Sequence, residues 1–206
     1  MAGPTSETRR PTARRILVAA LAGAVALFVW SAISHMFIIR GIGFEPLPDE
    51  AAVEPLVGSL ERGGLYFFPR IDWSRSPSDE EIAAWETRFR RGHGLVLYEA
   101  DGDGPVSSKK LGLQFLGDLL AAAILAALAA RGLGMGVAAG AVFGAALGVF
   151  ASAGVSSLYW NWYGFSHAFF VAHCGDKIVG WLIAGAAVGW VLSRQGSAAR
   201  RRPAAS

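Results

Sequence analysis

Residues 16–39 read ILVAALAGAVALFVWSAISHMFII and contain no Asp, Glu, Lys or Arg. A helix of roughly 20 apolar residues is long enough to cross the hydrocarbon of a bilayer, so this stretch predicts a membrane-spanning helix. A secretory signal is the alternative interpretation, because arginines precede the stretch. Its apolar part is much longer than the roughly 7–15 residues of a signal's hydrophobic region, and we therefore interpret it as an uncleaved anchor.

Three further apolar stretches predict three more spans. Residues 111–130 contain one acid, residues 133–155 contain no formal charge, and residues 168–192 contain an Asp and a Lys near their start. The chain of 206 residues is 53% hydrophobic and only 17% charged, which differs from the usual composition of soluble domains. The sequence therefore predicts a membrane all-α protein, a four-helix transmembrane bundle.

The distribution of charge predicts an orientation for this bundle. Residues 1–15, Arg131 and residues 193–206 together carry a net charge of +8, whereas residues 40–110 hold nine basic and thirteen acidic residues. Basic residues are enriched in cytoplasmic segments, so we expect both basic tails in the cytoplasm and residues 40–110 on the external, periplasmic face. The basic tails favour contact with the lipid bilayer. Aromatic and basic residues do not alternate in a pattern that would indicate nucleic-acid binding.

The connection over residues 40–110 has the character of a small external α/β domain inserted between spans 1 and 2. A short helix is expected over residues 49–60, with Pro55 interrupting it, and strands are expected over residues 64–69 and 95–99. About 60 residues can build only a small hydrophobic core. We expect this domain to lean on the membrane part for stability.

A second helix of this domain, over residues 79–91, has clear signals at both ends. Ser78 precedes it and Glu81 stands three residues later, which is the pattern of a capping box, and Gly92 follows as a stop. The expected order of the domain is therefore helix, strand, helix, strand.

Three short motifs resemble a group of uncharacterised bacterial membrane proteins that have one external domain and several spans. They are Trp-Ser-Ala-Ile-Ser-His at 30–35, Leu-Pro-Asp-Glu-Ala-Ala-Val at 47–53 and Gly-Leu-Tyr-Phe-Phe-Pro at 64–69. The resemblance covers roughly the first 130 residues. It implies the same architecture in a bacterial cytoplasmic (inner) membrane, and it implies no activity and no catalytic residue.

Small residues recur at every fourth position of the third predicted span, at Gly132, Gly136, Gly140, Gly144 and Gly148. Side chains at this spacing lie on one face of a helix, where a second backbone can approach closely. Two interpretations remain open. The face packs against another span of the same chain, or it joins a second copy or another membrane protein.

Ionisable residues within the predicted spans are the candidates for a polar site. Their burial in lipid is costly unless they are paired or hydrated, and six of them are expected near the external side: His35, Asp118, His167, His173, Asp176 and Lys177. One hypothesis is that His35 and Asp118 face each other, with His173 or Asp176 beside them, to hold a metal, a haem or a proton. The competing hypothesis places the histidines at headgroup level and pairs Asp118 with Lys177 or a backbone donor.

No motif favours a cofactor. The sequence has no HExxH, CxxC or CxxCH spacing, and its single cysteine, Cys174, has no partner for an internal disulfide. His35 and His173 are the only candidates for cofactor binding. We expect no catalytic residue, no metal and no cofactor.

Aromatic residues are dense between the third and fourth predicted spans. We expect residues 156–167 to form an external aromatic loop at the membrane interface, where such rings anchor helix ends. The alternative is a pocket for a lipid, a quinone or a sterol. The aromatic residues of the segment are Tyr159, Trp160, Trp162, Tyr163 and Phe165.

These patterns favour a non-catalytic interaction or scaffold protein. The next hypothesis is a redox or proton-coupled membrane protein that uses His35, Asp118 and His173. A hydrolase acting on soluble substrates is the third, since the external segment has carboxylates but only His93 as a candidate base and no recognisable nucleophile motif.

Overall fold

A computed structural model describes residues 11–100, 104, 106–132 and 136–199, with the backbone alone at 132 and 195–199. In chain order the elements are α1 (Ala13–Ile33), α2 (Val53–Ser59), β1 (Gly64–Phe68), α3 (Asp79–Arg91), β2 (Gly94–Tyr98), α4 (Ser108–Gly132), α5 (Val137–Ala151), α6 (Ser157–Tyr163) and α7 (His167–Ala199). A π-helical turn, Ser34–Ile38, extends α1, and a second one, Ser152–Ser156, joins α5 to α6.

The prediction of long apolar helices is confirmed. Within the described ranges, four helical segments are long and apolar enough to cross a membrane: Ala13–Ile38, Ser108–Arg131, Val137–Tyr163 and His167–Arg194. Much of the predicted basic tails, along with the first three residues of the predicted span 133–155, lies outside the described residues. The packing of Gly132 lies outside them as well.

The four helical segments are organised around α7. This helix packs against both α1 and α5, and α4 packs mainly against α1. Small and branched side chains fill the contact between α1, α4 and α7. The most deeply buried of them are Ala19, Ala20, Leu125, Ala126 and Val188.

The glycine face of the third span is turned toward α7. A Cβ atom added at Gly140 or Gly144 would overlap the backbone carbonyl of Gly185 or Trp181, and one added at Gly148 would lie 2.7 Å from the Cα of Ile178. Gly136 precedes α5, and its own Cβ would meet nothing within 4 Å. The geometry of Gly140, Gly144 and Gly148 therefore favours packing of this face within the chain.

The predicted aromatic loop over residues 156–167 needs correction, because most of it is helical. The helix continues from α5 through the π-helical turn, which contains Gly154, into α6, because no Pro interrupts residues 152–163. The helix ends at Gly164, whose φ of 73° is left-handed, a backbone conformation that glycine adopts at little cost. The loop is reduced to the short connection before His167.

Smaller corrections concern the predicted external domain. The helix expected over 49–60 is a 3₁₀ turn, Glu50–Ala52, followed by α2, and Pro55 occupies the first turn of α2, where a missing N–H costs little. The predicted strands are observed as β1 and β2, each ending one residue earlier than expected. The helix over 79–91 is confirmed, including the capping box of Ser78 and Glu81.

The α/β unit, residues 50–98, is built from local contacts. Strands β1 and β2 form one antiparallel pair in which Leu65 lies opposite Leu97. Helix α3 lies on this pair through its aromatic side chains, since the Trp85 indole donates a hydrogen bond of 2.9 Å to the carbonyl oxygen of Pro69. None of residues 40–100, all of which the structure describes, is fully buried.

The segment between α1 and the α/β unit is tied to the start of α7. A Cβ atom added at Gly43 would lie 2.5 Å from the backbone of Phe169, so only glycine fits there. The neighbouring Phe44 ring meets the Phe169 ring edge-on, with centroids 5.4 Å apart. The Ser166 hydroxyl donates a hydrogen bond of 3.1 Å to the carbonyl oxygen of Gly43.

The contact between α5 and α7 predicts opposite effects for two glycine substitutions. Gly144→Ala forces a methyl group against the Trp181 carbonyl, so we expect the free energy of unfolding to fall by about 1–3 kcal/mol. Gly175→Ala, in α7, is the control because its Cβ would meet nothing within 4 Å. That change is expected to be neutral or to stabilise by up to about 1 kcal/mol. Unfolding in mixed detergent micelles measures both, and equal stability of the two variants would contradict the assigned contact.

Candidate functional site

One end of the bundle gathers three histidines, and we call it the histidine end. His35 lies in the π-helical turn that extends α1, while His167 and His173 lie in the first two turns of α7. Because α1 and α7 run in opposite directions, the end of one meets the start of the other. The polar residues predicted near the end of the first span and the start of the fourth are thereby brought together.

His35 and His173 are in contact. Their ring centroids are 5.6 Å apart and their planes are inclined at 62°. His173 also stacks on Phe169, at 3.9 Å between centroids, and Nδ1 of His35 lies 3.0 Å from the carbonyl oxygen of Ser31. The pair is thus held by ring contacts and a backbone acceptor.

Asp176 is bound to the opposite helix through Trp30. The indole Nε1 of Trp30 donates to Oδ1 of Asp176 at 2.8 Å and lies 3.2 Å from the carbonyl oxygen of the same residue. This role of Trp30 was not expected from the sequence, because a partner far along the chain leaves no local signal. This bond fixes α1 against α7 and satisfies one carboxylate oxygen.

Lys177 follows Asp176 directly, yet it is not paired with it. Successive residues of a helix point about 100° apart, so the two side chains leave α7 on different sides. Among the described residues Lys177 makes no ion pair and no side-chain hydrogen bond. Lys177, a half-buried residue, therefore lies beside the aromatic residues of this end without an ion-pair partner in the described part of the chain.

A cavity of about 320 Å³ opens between α6 and the first turns of α7. His173 and Lys177, one helical turn apart, contribute its charged or ionisable lining. Its aromatic walls are Tyr159, Trp160, Phe165, Phe169 and Phe170. The predicted interfacial rings therefore enclose a concave site.

Contacts between rings fix the walls of this cavity. The Trp160 indole donates a hydrogen bond of 2.6 Å to Nδ1 of His167, and its ring is stacked near Phe170, with centroids 5.2 Å apart. Phe165 meets Phe169 edge-on at 5.0 Å. Such offset and edge contacts are favourable arrangements of aromatic rings, so the walls are formed before any ligand enters.

Asp118 does not join the histidine end. The Phe115 ring meets the Phe28 ring at 5.6 Å, and a Cβ at Gly23 would lie 3.3 Å from Ala122. Asp118 therefore lies level with residues 23–28 of α1, at least seven residues, or about 10 Å, from His35 along the axis. The predicted meeting of His35 and Asp118 is not formed.

The partner of Asp118 also differs from the one proposed from the sequence. Its Oδ1 accepts a hydrogen bond of 2.9 Å from Nε2 of Gln114, one turn earlier in α4. The side chain is buried, with 5% of its surface exposed, and Oδ2 has no partner among the described residues. Within the described residues, neither Lys177 nor a backbone donor pairs with it.

Two buried serines lie near the histidine end. Ser34 and Ser152 each begin a π-helical turn, and neither hydroxyl has a hydrogen-bond partner among the described residues. Such turns inside long helices are found frequently at functional sites. Neither π-helical turn was expected from the sequence, since such turns have no residue signature in this chain.

The opposite end of the bundle is basic. Nε of Arg15 donates a hydrogen bond of 2.9 Å to the carbonyl oxygen of Val191, and the Arg194 guanidinium lies 3.9 Å from the centroid of the Trp190 ring. A shallow cavity of about 460 Å³ includes these two arginines and Arg14. This end provides cationic groups between α1 and α7.

The sequence offers His93 as a candidate base and leaves a metal site as one hypothesis. The His93 ring stacks on Phe89 at 3.9 Å, and its Nδ1 lies 3.2 Å from the carbonyl oxygen of that residue. In the part of the chain that the structure describes, no three His, Cys, Asp or Glu side chains form a group that could hold a metal ion.

Comparison with protein-family models, curated proteins and solved structures finds no match for the chain.

The contact between Trp30 and Asp176 generates a test of the histidine end. Trp30→Phe keeps an aromatic ring but removes the donor to the carboxylate, so we expect the free energy of unfolding to fall by about 1–3 kcal/mol. Trp162→Phe is the matched control, because Trp162 is 72% exposed. Equal unfolding free energies for the two variants in mixed micelles would remove the structural role assigned to Trp30.

Proposed function

We propose that this chain is a multi-pass protein of the bacterial cytoplasmic (inner) membrane that acts as a non-catalytic interaction or scaffold protein. Its four apolar helical segments would cross the bilayer, with both termini in the cytoplasm. The α/β unit would stand in the periplasm and bind a partner protein.

The charge distribution and the packing together support this orientation. Arg15 near the start of the first helix and Val191 near the end of the last are joined by a hydrogen bond, so the two basic tails leave the bundle at the same end. Basic residues are retained in the cytoplasm. The acidic segment that contains the α/β unit leaves from the histidine end.

The exposed leucine pair of the β1–β2 ribbon carries the proposal of an interaction function. Leu65 and Leu97 lie opposite each other and are 64% and 83% exposed. Helix α3 covers part of this ribbon, yet it leaves both leucine side chains in solvent. A partner that covers this pair would bury apolar surface that the chain itself leaves in solvent.

The glycine face of α5 is a poorer candidate for the partner surface. From the sequence alone, it stays open whether this face packs against a second copy or another membrane protein. In the structure Gly140 and Gly144 already lie against the backbone of α7, and a second helix would have to displace α7 to reach them. We therefore assign the association surface to the α/β unit.

Photocrosslinking in intact cells tests the interaction surface. A photoreactive amino acid in place of Leu97 or Leu65 is expected to give a discrete covalent adduct with a partner protein or a second copy. Glu80, exposed on α3, is the control position and is expected to give no adduct. The proposal fails if neither leucine position gives an adduct, or if Glu80 gives the same adduct with the same yield.

Cysteine labelling tests the orientation. In a chain carrying Cys174→Ala, we expect Ser76→Cys in the α/β unit to react with a membrane-impermeant maleimide once the outer membrane is permeabilised. Thr12→Cys is expected to react only after the inner membrane is opened as well. The reverse pattern would place the α/β unit in the cytoplasm.

A further inference from the structure

We propose that the cavity at the histidine end is a binding site for a single-chain amphiphile of the fatty-acid type, with its acidic head at Lys177 and its chain along the aromatic walls. The proposal is independent of which partner the α/β unit binds. It rests on the lining of the cavity, on the unpaired cation in it and on the size of the space.

The lining divides into an apolar part and a cationic part. Five aromatic rings from α6, the following loop and the start of α7 form the walls, and Lys177 with His173 lies on one face of α7. Binding sites for small molecules commonly combine apolar walls with a few polar groups that orient the ligand. This combination fits a molecule that has one hydrophobic and one polar end.

The charge of the polar end follows from the surroundings of Lys177. An ammonium group that is partly removed from water is stabilised by an anionic partner. Lys177 has no such partner among the described residues, and the adjacent Asp176 carboxylate accepts its hydrogen bond from Trp30 on the side of α1. A ligand carboxylate would supply the missing negative charge, with a hydrogen bond that both charges strengthen.

The size of the cavity suits one acyl chain better than two. A volume of about 320 Å³ lies at the lower end of the roughly 300–1,000 Å³ that is usual for small-molecule sites. A two-chain phospholipid would have to leave most of itself outside. The walls are also held in place by their own ring contacts, such as that of Trp160 with Phe170, which reduces the ordering cost of binding.

Ordinary interfacial anchoring predicts a different arrangement. Aromatic rings that only mark the membrane interface point outward and need no cation among them. Trp162, with 72% of its surface exposed, has this character. Trp160 instead directs its indole N–H to His167 and lines the cavity.

The test uses quenching of tryptophan fluorescence by bromine. The full chain is placed in phosphatidylcholine nanodiscs at mildly alkaline pH and titrated with 9,10-dibromostearate. We expect a saturable quenching component that Trp160→Phe removes and that the methyl ester of the same probe, which has no charge, produces only at about tenfold or higher concentration. Equal affinity for the acid and the ester would overturn the proposal.

Substitution of Lys177 tests whether this residue binds the acidic head of the ligand. Lys177→Gln is expected to weaken binding of the acid about tenfold and to leave the ester unchanged, whereas Lys177→Arg is expected to retain binding. Lys109→Gln is the control for loss of a charge, since Lys109 is an exposed lysine at the same end of the bundle. Full binding by Lys177→Gln, or the same loss in Lys109→Gln, would refute the assignment.

A further titration distinguishes a single-chain ligand from a phospholipid. Dibromo-phosphatidylglycerol presents an acidic head on two acyl chains, and we expect it to show no saturable quenching at Trp160. Saturable quenching by this lipid at the affinity of the fatty acid would show that the site takes an anionic phospholipid, and the assignment of a single-chain ligand would then be wrong.

Discussion

Direct contact between the backbones of α5 and α7 is the constraint on which the arrangement of the apolar helices depends. Gly140 and Gly144 of α5 lie against Gly185 and the Trp181 carbonyl of α7. In lipid, apolar side chains gain little by leaving hydrocarbon for protein, and close backbone packing supplies dispersion contacts instead. Helix α7 thereby acquires α5 as a fixed neighbour, while α1 packs along another of its faces.

The fixed position of α7 determines the chemistry of the histidine end. Asp176 and Lys177 are adjacent in sequence and opposite in charge, yet each has a different environment because helical geometry separates their directions. Asp176 is turned to Trp30 of α1, where it joins two helices. Lys177 lines the aromatic cavity and forms no ion pair with any residue that the structure describes. One helical turn thus contains both a structural contact and a candidate recognition group.

Local features of this fold were predictable from the sequence, and features set by packing were not. Long apolar runs and the Ser78 cap are encoded by neighbouring residues. The position of Asp118 relative to His35 is not encoded locally. It depends on the axial register of α4 against α1, which the contact of Phe28 with Phe115 fixes. Residues 156–163 were misjudged for another reason. Aromatic composition favoured an interfacial loop, whereas the absence of Pro before Gly164 allowed the helix to continue.

The α/β unit depends on different forces from the bundle. Its ion pairs, such as Arg75 with Glu81 and Lys110 with Glu99 beside it, are exposed, and exposed pairs contribute only about 0–1 kcal/mol each. The Arg75 hydrogen bond holds the pKa of Glu81 below its usual range, which keeps the capping carboxylate ionised but does not add a core. No residue of 40–100 is fully buried, so the unit has little core of its own. The Leu65 and Leu97 side chains are part of the apolar surface that its ribbon leaves in solvent, and this is why we propose them as the contact with a partner.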